Sequence, residues 1–306
     1  MVTVLLATYN GEAYIRQQLD SILNQTHKEL AIVISDDLSS DKTPAILKEY
    51  EDKYPDRVKC LMNEKASGSP QNNFFRLLCE VQDEYVMLCD QDDIWLPDKV
   101  EITLKEMRRL ERRWGEAVPL LVHGDLSVTD QEGNVRHKSM VQYQKIAVTD
   151  NRFSHYLVEN NITGNTVMLN QGFDPFLTYI PEICMMHDWW LGLLASCFGK
   201  ISYIDRPLLL YRQHESNQVG SKSGIRQYAE RLTHKEQVRK QYRKMFQQAE
   251  LFLGRYGNDM TGEQKETLEQ FIKLQKMNRI RKIRTIWKYK FYKSTLIRTF
   301  GQMLSI

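Results

Sequence analysis

The sequence predicts an α/β fold with a mostly parallel central sheet and a helical C-terminal extension. Three observations lead there. Short apolar runs alternate with segments of helical spacing through the first part of the chain, the pattern of consecutive βα units. Each run stops at polar or acidic residues, on the side where parallel sheets bind ligands. Beyond residue 224 strand-like runs give way to helical periodicity.

Val2–Ala7 is the first run, and Thr8-Tyr9-Asn10-Gly11 ends it with a turn signal. Tyr14, Ile15, Leu19, Ile22 and Leu23 then fit one helix face. Ala31–Ser35 is a second strand, stopped by Asp36-Asp37, and Asp41-Lys42-Thr43-Pro44 opens a helix with proline in its first turn. Val58–Met62 and Tyr85–Cys89 are further strands, separated by a helix opening at Ser69-Pro70. The middle is less regular. Leu120–Val128 reads as a strand, Gly133-Asn134 as a turn, and Thr163-Gly164-Asn165-Thr166 precedes a strand-like Val-Met-Leu. Trp189–Phe198 is a short apolar helix behind His187-Asp188, closed by Gly199. Ile201–Asp205 and Pro207–Tyr211 read as two strands on either side of Arg206-Pro207. Residues 218–224, polar and rich in Gly and Ser, read as a linker or loop. The chain is expected to divide into residues 1–217 and 218–306.

Charge divides in a similar way. Through Gly224 there are 23 Lys and Arg against 32 Asp and Glu, a net −9; from Ile225 there are 19 against 7, a net +12. No apolar run approaches the ~18–20 residues of a spanning helix. The N-terminus lacks the charged start and cleavage site of a signal peptide, so a cytoplasmic protein is expected. Five cysteines without a CxxC pair read as reduced, buried thiols. Asn161-Ile162-Thr163 then has no meaning as a glycosylation triplet.

No GxGxxG follows the first strand, and no GxxxxGK[ST], GxSxG or HExxH occurs, which removes the dinucleotide, P-loop and common hydrolase readings. Four clusters remain. In Asp90-Gln91-Asp92-Asp93 a strand-to-turn transition puts Asp90 and Asp92 on one side, suiting Mg²⁺ or Mn²⁺; capping of the next helix stays open beside it. In Asp36–Asp41, either Ser40 or Asp41 caps the next helix, or a carboxylate at the strand end accepts a hydrogen bond from a nucleobase N–H or a ribose hydroxyl. Asp188, just before an apolar helix, is a cap or a general base. His214, after a strand, is a structural residue or a donor completing a carboxylate metal site.

Thr8-Tyr9-Asn10-Gly11, Ser21-Ile22-Leu23-Asn24-Gln25-Thr26, Asp36-Asp37 with Ser39, Asp90-Gln91-Asp92-Asp93, Asp188-Trp189 and His214 stand in an order that resembles the inverting family-2 glycosyltransferases. The likeness covers about residues 2–216. Cys89–Trp95, Thr163–Thr166, His187–Ser196 and Leu210–Asn217 are similar to bacterial rhamnosyltransferases of cell-wall and capsular rhamnose polysaccharides. The resemblance implies a GT-A fold, Rossmann-like with a mostly parallel sheet, and a metal cofactor, Mn²⁺ or Mg²⁺. It implies a nucleotide pocket of Thr8, Tyr9, Asn10, Asp36, Asp37, Asn73, Asp90 and Gln91, with Asp37 on the pyrimidine N3–H. Asp90, Asp92 and His214 would hold the metal, and Asp188 would be the catalytic base. Asp93, Trp95, Gly164, His187, Trp189 and Arg212 are candidate contacts to acceptor or donor sugar. Two positions depart from the family pattern: Leu38 replaces the usual Gly after the Asp pair, and His187 replaces the usual Glu before the base.

The implied reaction moves a sugar, L-rhamnose from dTDP-rhamnose, to a hydroxyl of a lipid-linked glycan. A UDP-sugar donor, a metal-dependent phosphohydrolase and a non-catalytic membrane adaptor are the alternatives. The segment Arg279–Arg298 mixes eight Lys and Arg with Ile280, Ile283, Ile286, Trp287, Tyr289, Phe291, Tyr292 and Leu296. Its apolar stripe shifts after Tyr289, so one straight amphipathic helix fits poorly. It reads either as a basic helix packed on the body or on another copy in a homo-oligomer, or as an anchor on the anionic inner face of the plasma membrane. Nucleic acid is not expected, because no recognised module accompanies the basic run.

Overall fold

The computed structural model of the chain describes residues 1–61, 63–214 and 235–305, and the expected linker at 218–224 lies outside them. The chain forms two compact units. The first holds Met1–Met140, Ile162–Ile180 and the segment from Lys200 as far as His214. The second holds Val141–Asn161, Pro181–Gly199 and the C-terminal helices from residue 235. The units therefore do not follow chain order at 217. The segment carrying His187 and Asp188 belongs with the C-terminal helices.

The first unit is built on a nine-stranded mixed sheet. β1 (Val2–Thr8), β2 (Leu30–Asp36), β3 (Val58–Leu61) and β4 (Tyr85–Cys89) run parallel in the order β3-β2-β1-β4. They alternate with α1 (Ile15–Leu23), α2 (Thr43–Lys53) and α3 (Pro70–Glu80). β4 is buried along its whole length, as a continuous apolar run in a covered parallel sheet should be. α3 starts where the sequence predicts: Ser69 accepts a hydrogen bond from the Asn72 N–H and Pro70 occupies the first turn. After β5 (Ile94–Trp95) and α4 (Lys99–Trp114), the strands β6 (Leu120–Thr129), β7 (Val135–His137), β8 (Met168–Asn170) and β9 (Lys200–Arg212) complete the order β4-β8-β6-β9-β5, with β7 on β6. β8 is antiparallel to β4 and β6, whereas β9 is parallel to β6.

One expectation fails here. Residues 200–212 form a single strand, not two strands broken at Arg206-Pro207. The ladder to β6 shifts register around Asp125, which faces Pro207. That irregularity absorbs a residue that cannot donate, and the strand runs on to Arg212.

The second unit is helical: α5 (Phe153–Tyr156), α6 (His187–Phe198), α7 (Lys235–Tyr256), α8 (Gly262–Lys273), α9 (Arg279–Lys288) and α10 (Leu296–Ser305). Its core is aromatic, with Trp190 against Phe252 (5.3 Å between ring centroids), Phe246 against Phe271 (4.9 Å) and Phe271 against Phe291 (5.4 Å). The basic segment breaks as its shifted stripe suggests. α9 ends at Lys288 and Lys290 turns with φ +56°. By helical spacing Ile280, Ile283, Ile286 or Trp287 and Phe291 are expected on one face, but Ile286 and Phe291 are buried whereas Ile280 and Trp287 are exposed. All five cysteines are unpaired. Asn161 is buried and its carboxamide bonds the Tyr156 hydroxyl and the Ala147 carbonyl. Among the described residues no helix is long and apolar enough to cross a membrane.

Candidate active site

The parallel strands deliver their polar ends to one side of the sheet. At the β1–β2 end, Thr8 lies opposite Asp36 and its hydroxyl donates to Asp36 Oδ1 at 2.8 Å. The same carboxylate accepts from the Ser39 hydroxyl (2.6 Å) and the Ser39 N–H (2.8 Å). Asp36 is thereby committed to holding the loop after β2. Asp37 accepts from the Ser67 N–H and from the Gly68 N–H at 3.2 Å. Asn10 takes a left-handed φ of +49°; its N–H donates to Ser39 Oγ and its side chain accepts from the Ser40 N–H, both at 2.8 Å.

Gln91 crosses from the β4 end to clamp Tyr9. Its Oε1 accepts from the Tyr9 N–H at 2.8 Å and its Nε2 donates to the Tyr9 carbonyl at 2.9 Å. That clamp needs Gly11, where a Cβ would lie 2.4 Å from Gln91 Oε1. Tyr9 itself is exposed. Asn73 is buried: it donates to the Ser35 carbonyl at 2.8 Å and accepts from the Ser35 hydroxyl at 2.6 Å.

Charge concentrates at the β4–β9 end. Asp92 Oδ2 and His214 Nε2 are 2.7 Å apart and both side chains are largely buried. The His214 ring stacks on Tyr14 at 5.0 Å, and the Arg212 guanidinium lies 4.8 Å from the centre of the Tyr14 ring. Arg212 is buried; its Nε donates to the Asp92 carbonyl (3.1 Å) and its Nη2 to Gln17 Oε1 (2.6 Å). Asp93 is fully buried, accepts from Asn165 Nδ2 and, at 3.4 Å, from the Arg212 N–H. Burial, then the nearby Asp92 and Asp90, push its carboxyl well above the usual carboxylate range. The Asn165 carbonyl in turn accepts from Lys99 Nζ at 2.6 Å. Lys99 is also fully buried, with its ammonium 3.4 Å from the centre of the Trp95 ring. The Ser21–Thr26 motif holds the next segment in place. Ser21 Oγ accepts from the Trp95 N–H (3.1 Å), and Gln25 bonds the Leu96 carbonyl and the Val100 N–H.

In the second unit α6 begins at His187, so Asp188 lies in its first turn, where a helix's free N–H groups point. Asp188 Oδ1 accepts from the Trp189 N–H at 2.7 Å, and Trp189 Nε1 donates to the Tyr156 carbonyl at 2.6 Å. His187 is buried, and burial pushes its imidazole down to about 3. It is neutral at ordinary pH.

The first unit thus brings Thr8, Tyr9, Asn10, Asp36, Asp37 and Gln91 into one hydrogen-bonded rim, and Asp92, Asp93, Arg212 and His214 into another network. Three candidates serve the interior instead: Asn73 pins β2, Trp95 lies under Lys99, and Gly164 is buried in a short 3₁₀ turn. Sequence reasoning overlooked Asn165, Lys99, Tyr14 and Gln17. Asn165 adjoins Gly164 in a motif already singled out, and Tyr14, at the N-cap of α1, was read only as part of an apolar pattern; Gln17 and Lys99 lie on helices and carry no local signal.

Carboxylates gathered at the ends of a mostly parallel sheet make a polar edge where such sheets bind ligands, and similarity to known proteins gives its class, a glycosyltransferase of the GT-A fold. The chain resembles S. aureus TarS 1–349 in complex with UDP-GlcNAc with a TM-score of 0.58, covering 94% of this chain and 80% of that one at 18% identity, a likeness of fold. Residues 3–116 match Glycosyl transferase family 2. Over 242 residues the chain is 31% identical to the dTDP-rhamnosyl transferase RfbG of Shigella flexneri, covering 74% of this chain and 78% of that protein. It is 26% identical over 219 residues to the uncharacterized glycosyltransferase MJ1057 of Methanocaldococcus jannaschii, covering 69% and 70%. The chain belongs to glycosyl transferase family 2.

Proposed function

We propose that the chain is an inverting glycosyltransferase that moves L-rhamnose from dTDP-rhamnose to a hydroxyl of a lipid-linked glycan. Asp188 is its general base, and a divalent ion sits at Asp92 and His214 beside Asp90. One observation carries this reading: the Asp92–His214 pair at 2.7 Å, in a chain similar to a dTDP-rhamnosyl transferase over 78% of that protein's length.

The donor set fits Mn²⁺ or Mg²⁺. A carboxylate and an imidazole lie side by side, 2.7 Å apart, and the imidazole stacks on Tyr14. Among the described residues no group of three or more His, Cys, Asp and Glu could hold a metal. Two donors suit an ion that takes its other ligands from diphosphate and water. When bound, such an ion supplies positive charge to the leaving diphosphate.

The chain's own groups do the rest. An ionised carboxylate has about four acceptor positions. Asp37 uses two on Ser67 and Gly68 and keeps the others for the pyrimidine N3–H. Thymine and uracil both carry that N–H, so Asp37 selects pyrimidines without choosing between them. Asp188 takes the proton from the acceptor hydroxyl. The freed oxygen attacks the anomeric carbon opposite the bond to the diphosphate; that bond breaks, and the configuration inverts.

The test is a panel of nucleotide sugars with Mn²⁺ or Mg²⁺, read as nucleoside diphosphate release with and without acceptor. dTDP-rhamnose is the expected donor. Asp188→Asn is expected to lose ~10²–10⁴-fold in turnover while still binding nucleotide. Preferred turnover of a UDP-sugar, acceptor-independent hydrolysis as the main reaction, or full transfer by Asp188→Asn overturns the reading.

A further inference from the structure

α10 is packed with its apolar side outward. Leu296, Ile297 and Phe300 share one side and are 70, 68 and 54% exposed, while Thr299 and Gln302 on the opposite side are 3 and 1% exposed. Polar bonds hold the helix in this orientation. Thr299 Oγ1 accepts from the Lys293 N–H (3.0 Å) and donates to the Thr295 carbonyl (3.1 Å). Gln302 Nε2 donates to the Phe291 carbonyl at 3.3 Å. Arg298 reaches Glu159 at 3.2 Å and the Gln144 carbonyl at 2.8 Å. An amphipathic helix normally buries its apolar stripe; here the polar stripe is buried. α9 adds Ile280 and Trp287, seven residues apart and both exposed. Apolar groups exposed together and bordered by charge mark an interaction site.

Charge identifies what covers it. Between Arg279 and Ser305 there are eight Lys and Arg and no Asp or Glu; Arg279, Arg281, Arg284, Lys288 and Lys290 are exposed. We infer that this face docks on an anionic lipid surface. Leu296, Ile297 and Phe300 enter the boundary between headgroups and acyl chains, and the cations pair with lipid phosphates. A second copy fits less well, because a two-fold contact meets its own face and sets these cations against each other. The inference rests on the proposed function only for its purpose, an acceptor carried on lipid, and its test does not depend on which sugar is transferred.

The experiment is flotation of the full-length protein with vesicles of phosphatidylcholine alone and of phosphatidylcholine with phosphatidylglycerol, at low and high salt. The protein is expected to float with the anionic vesicles, and less so as salt rises. Leu296→Ser/Ile297→Ser/Phe300→Ser is expected to lower partitioning on the order of 100-fold. Arg284→Glu/Lys288→Glu should lower it by at least about fivefold per residue. These side chains are exposed, so an unchanged melting temperature shows that the variants still fold. Both variants should keep wild-type turnover on a soluble acceptor; if transfer is absent in every form while flotation behaves as described, the docking face stands and the reaction does not. Equal flotation on both vesicle types, flotation of the triple variant like wild type, or a wild-type dimer that the triple variant lacks overturns the inference.

Discussion

Two Asp-Asp pairs end neighbouring regions of the same sheet, and they are held in opposite ways. Asp36-Asp37 is held by neutral donors: two hydroxyls and a backbone N–H on Asp36, two backbone N–H groups on Asp37. Asp92-Asp93 is held among ionisable groups, with His214 on Asp92, Arg212 bonded to both residues, and Lys99 beyond Asn165. Neutral donors fix a loop at small cost. Buried charges are expensive unless completed, and so mark a place where another charge is to be met. In the proposed reading one residue of each pair serves structure and the other meets the ligand.

The largest effect should come from breaking the second pair. Asp92→Ala removes one of two proposed ion donors; loss of several kcal/mol of charge stabilisation corresponds to roughly 10³-fold or more in transfer, read as nucleoside diphosphate release. Asp36→Ala should divide its effect differently. It strands three donors and should lower stability by about 1–3 kcal/mol in urea denaturation, with a smaller loss of transfer. If Asp36→Ala proves as inactive as Asp92→Ala at unchanged stability, the two pairs do not differ as described.

The second pair also predicts a pH dependence. Burial pushes the Lys99 ammonium down to about 7, against smaller opposing pulls from Cys89, Asp93 and Asp90. In the unfolded chain a lysine keeps its proton to about 10.4. Between these values the unfolded chain binds more protons than the folded one, so this group adds stability as pH rises through that window; its cost is full below about 7. Lys99→Met should abolish that slope. Urea midpoints at pH 7 and 9 should diverge, with wild type gaining on the variant at the higher pH. Parallel pH trends in the two proteins would exclude a buried, titrating Lys99.

Much of this was legible in the sequence, for a physical reason. Where an apolar run meets Asp or Asn a strand leaves the core, so Thr8, Asp36, Asp37 and Asp90–Asp93 could be placed at strand ends without coordinates. The division of labour within each pair could not, because it depends on donors about 30 residues away at Ser67 and over 100 away at Arg212. Lys99 was illegible for a similar reason. A lysine in the first turn of a helix reads as exposed until Trp95 and Asn165 are folded over it. Pro207 misled by a local rule, since a register shift beside Asp125 let the strand continue. In the basic segment the change of stripe after Tyr289 was visible. Which stripe lies inside was not, because α10 buries Thr299 and Gln302.

Smaller effects test the first pair's loop. Gly11→Ala places a Cβ 2.4 Å from Gln91 Oε1; the side chain must leave, Tyr9 is released, and the donor KM should rise by several-fold with turnover at saturation largely kept. A parallel fall in kcat would show that Gln91 does more than position Tyr9. Leu38 gives the smallest effect. The family pattern has a glycine at this position. The structure keeps a left-handed turn and makes a leucine adopt it, at φ +60° and half exposed. A left-handed conformation costs a non-glycine residue about 1–2 kcal/mol, and glycine loses about 0.5–1 kcal/mol in backbone entropy. Leu38→Gly should therefore stabilise by roughly 0.5–1 kcal/mol, because the exposed side chain gives up little burial. A gain in stability with unchanged transfer would make Leu38 a strained residue without a ligand role. Lower stability with a raised donor KM would mean that the leucine covers the bound nucleotide, and would make the neutral loop of the first pair part of the binding surface.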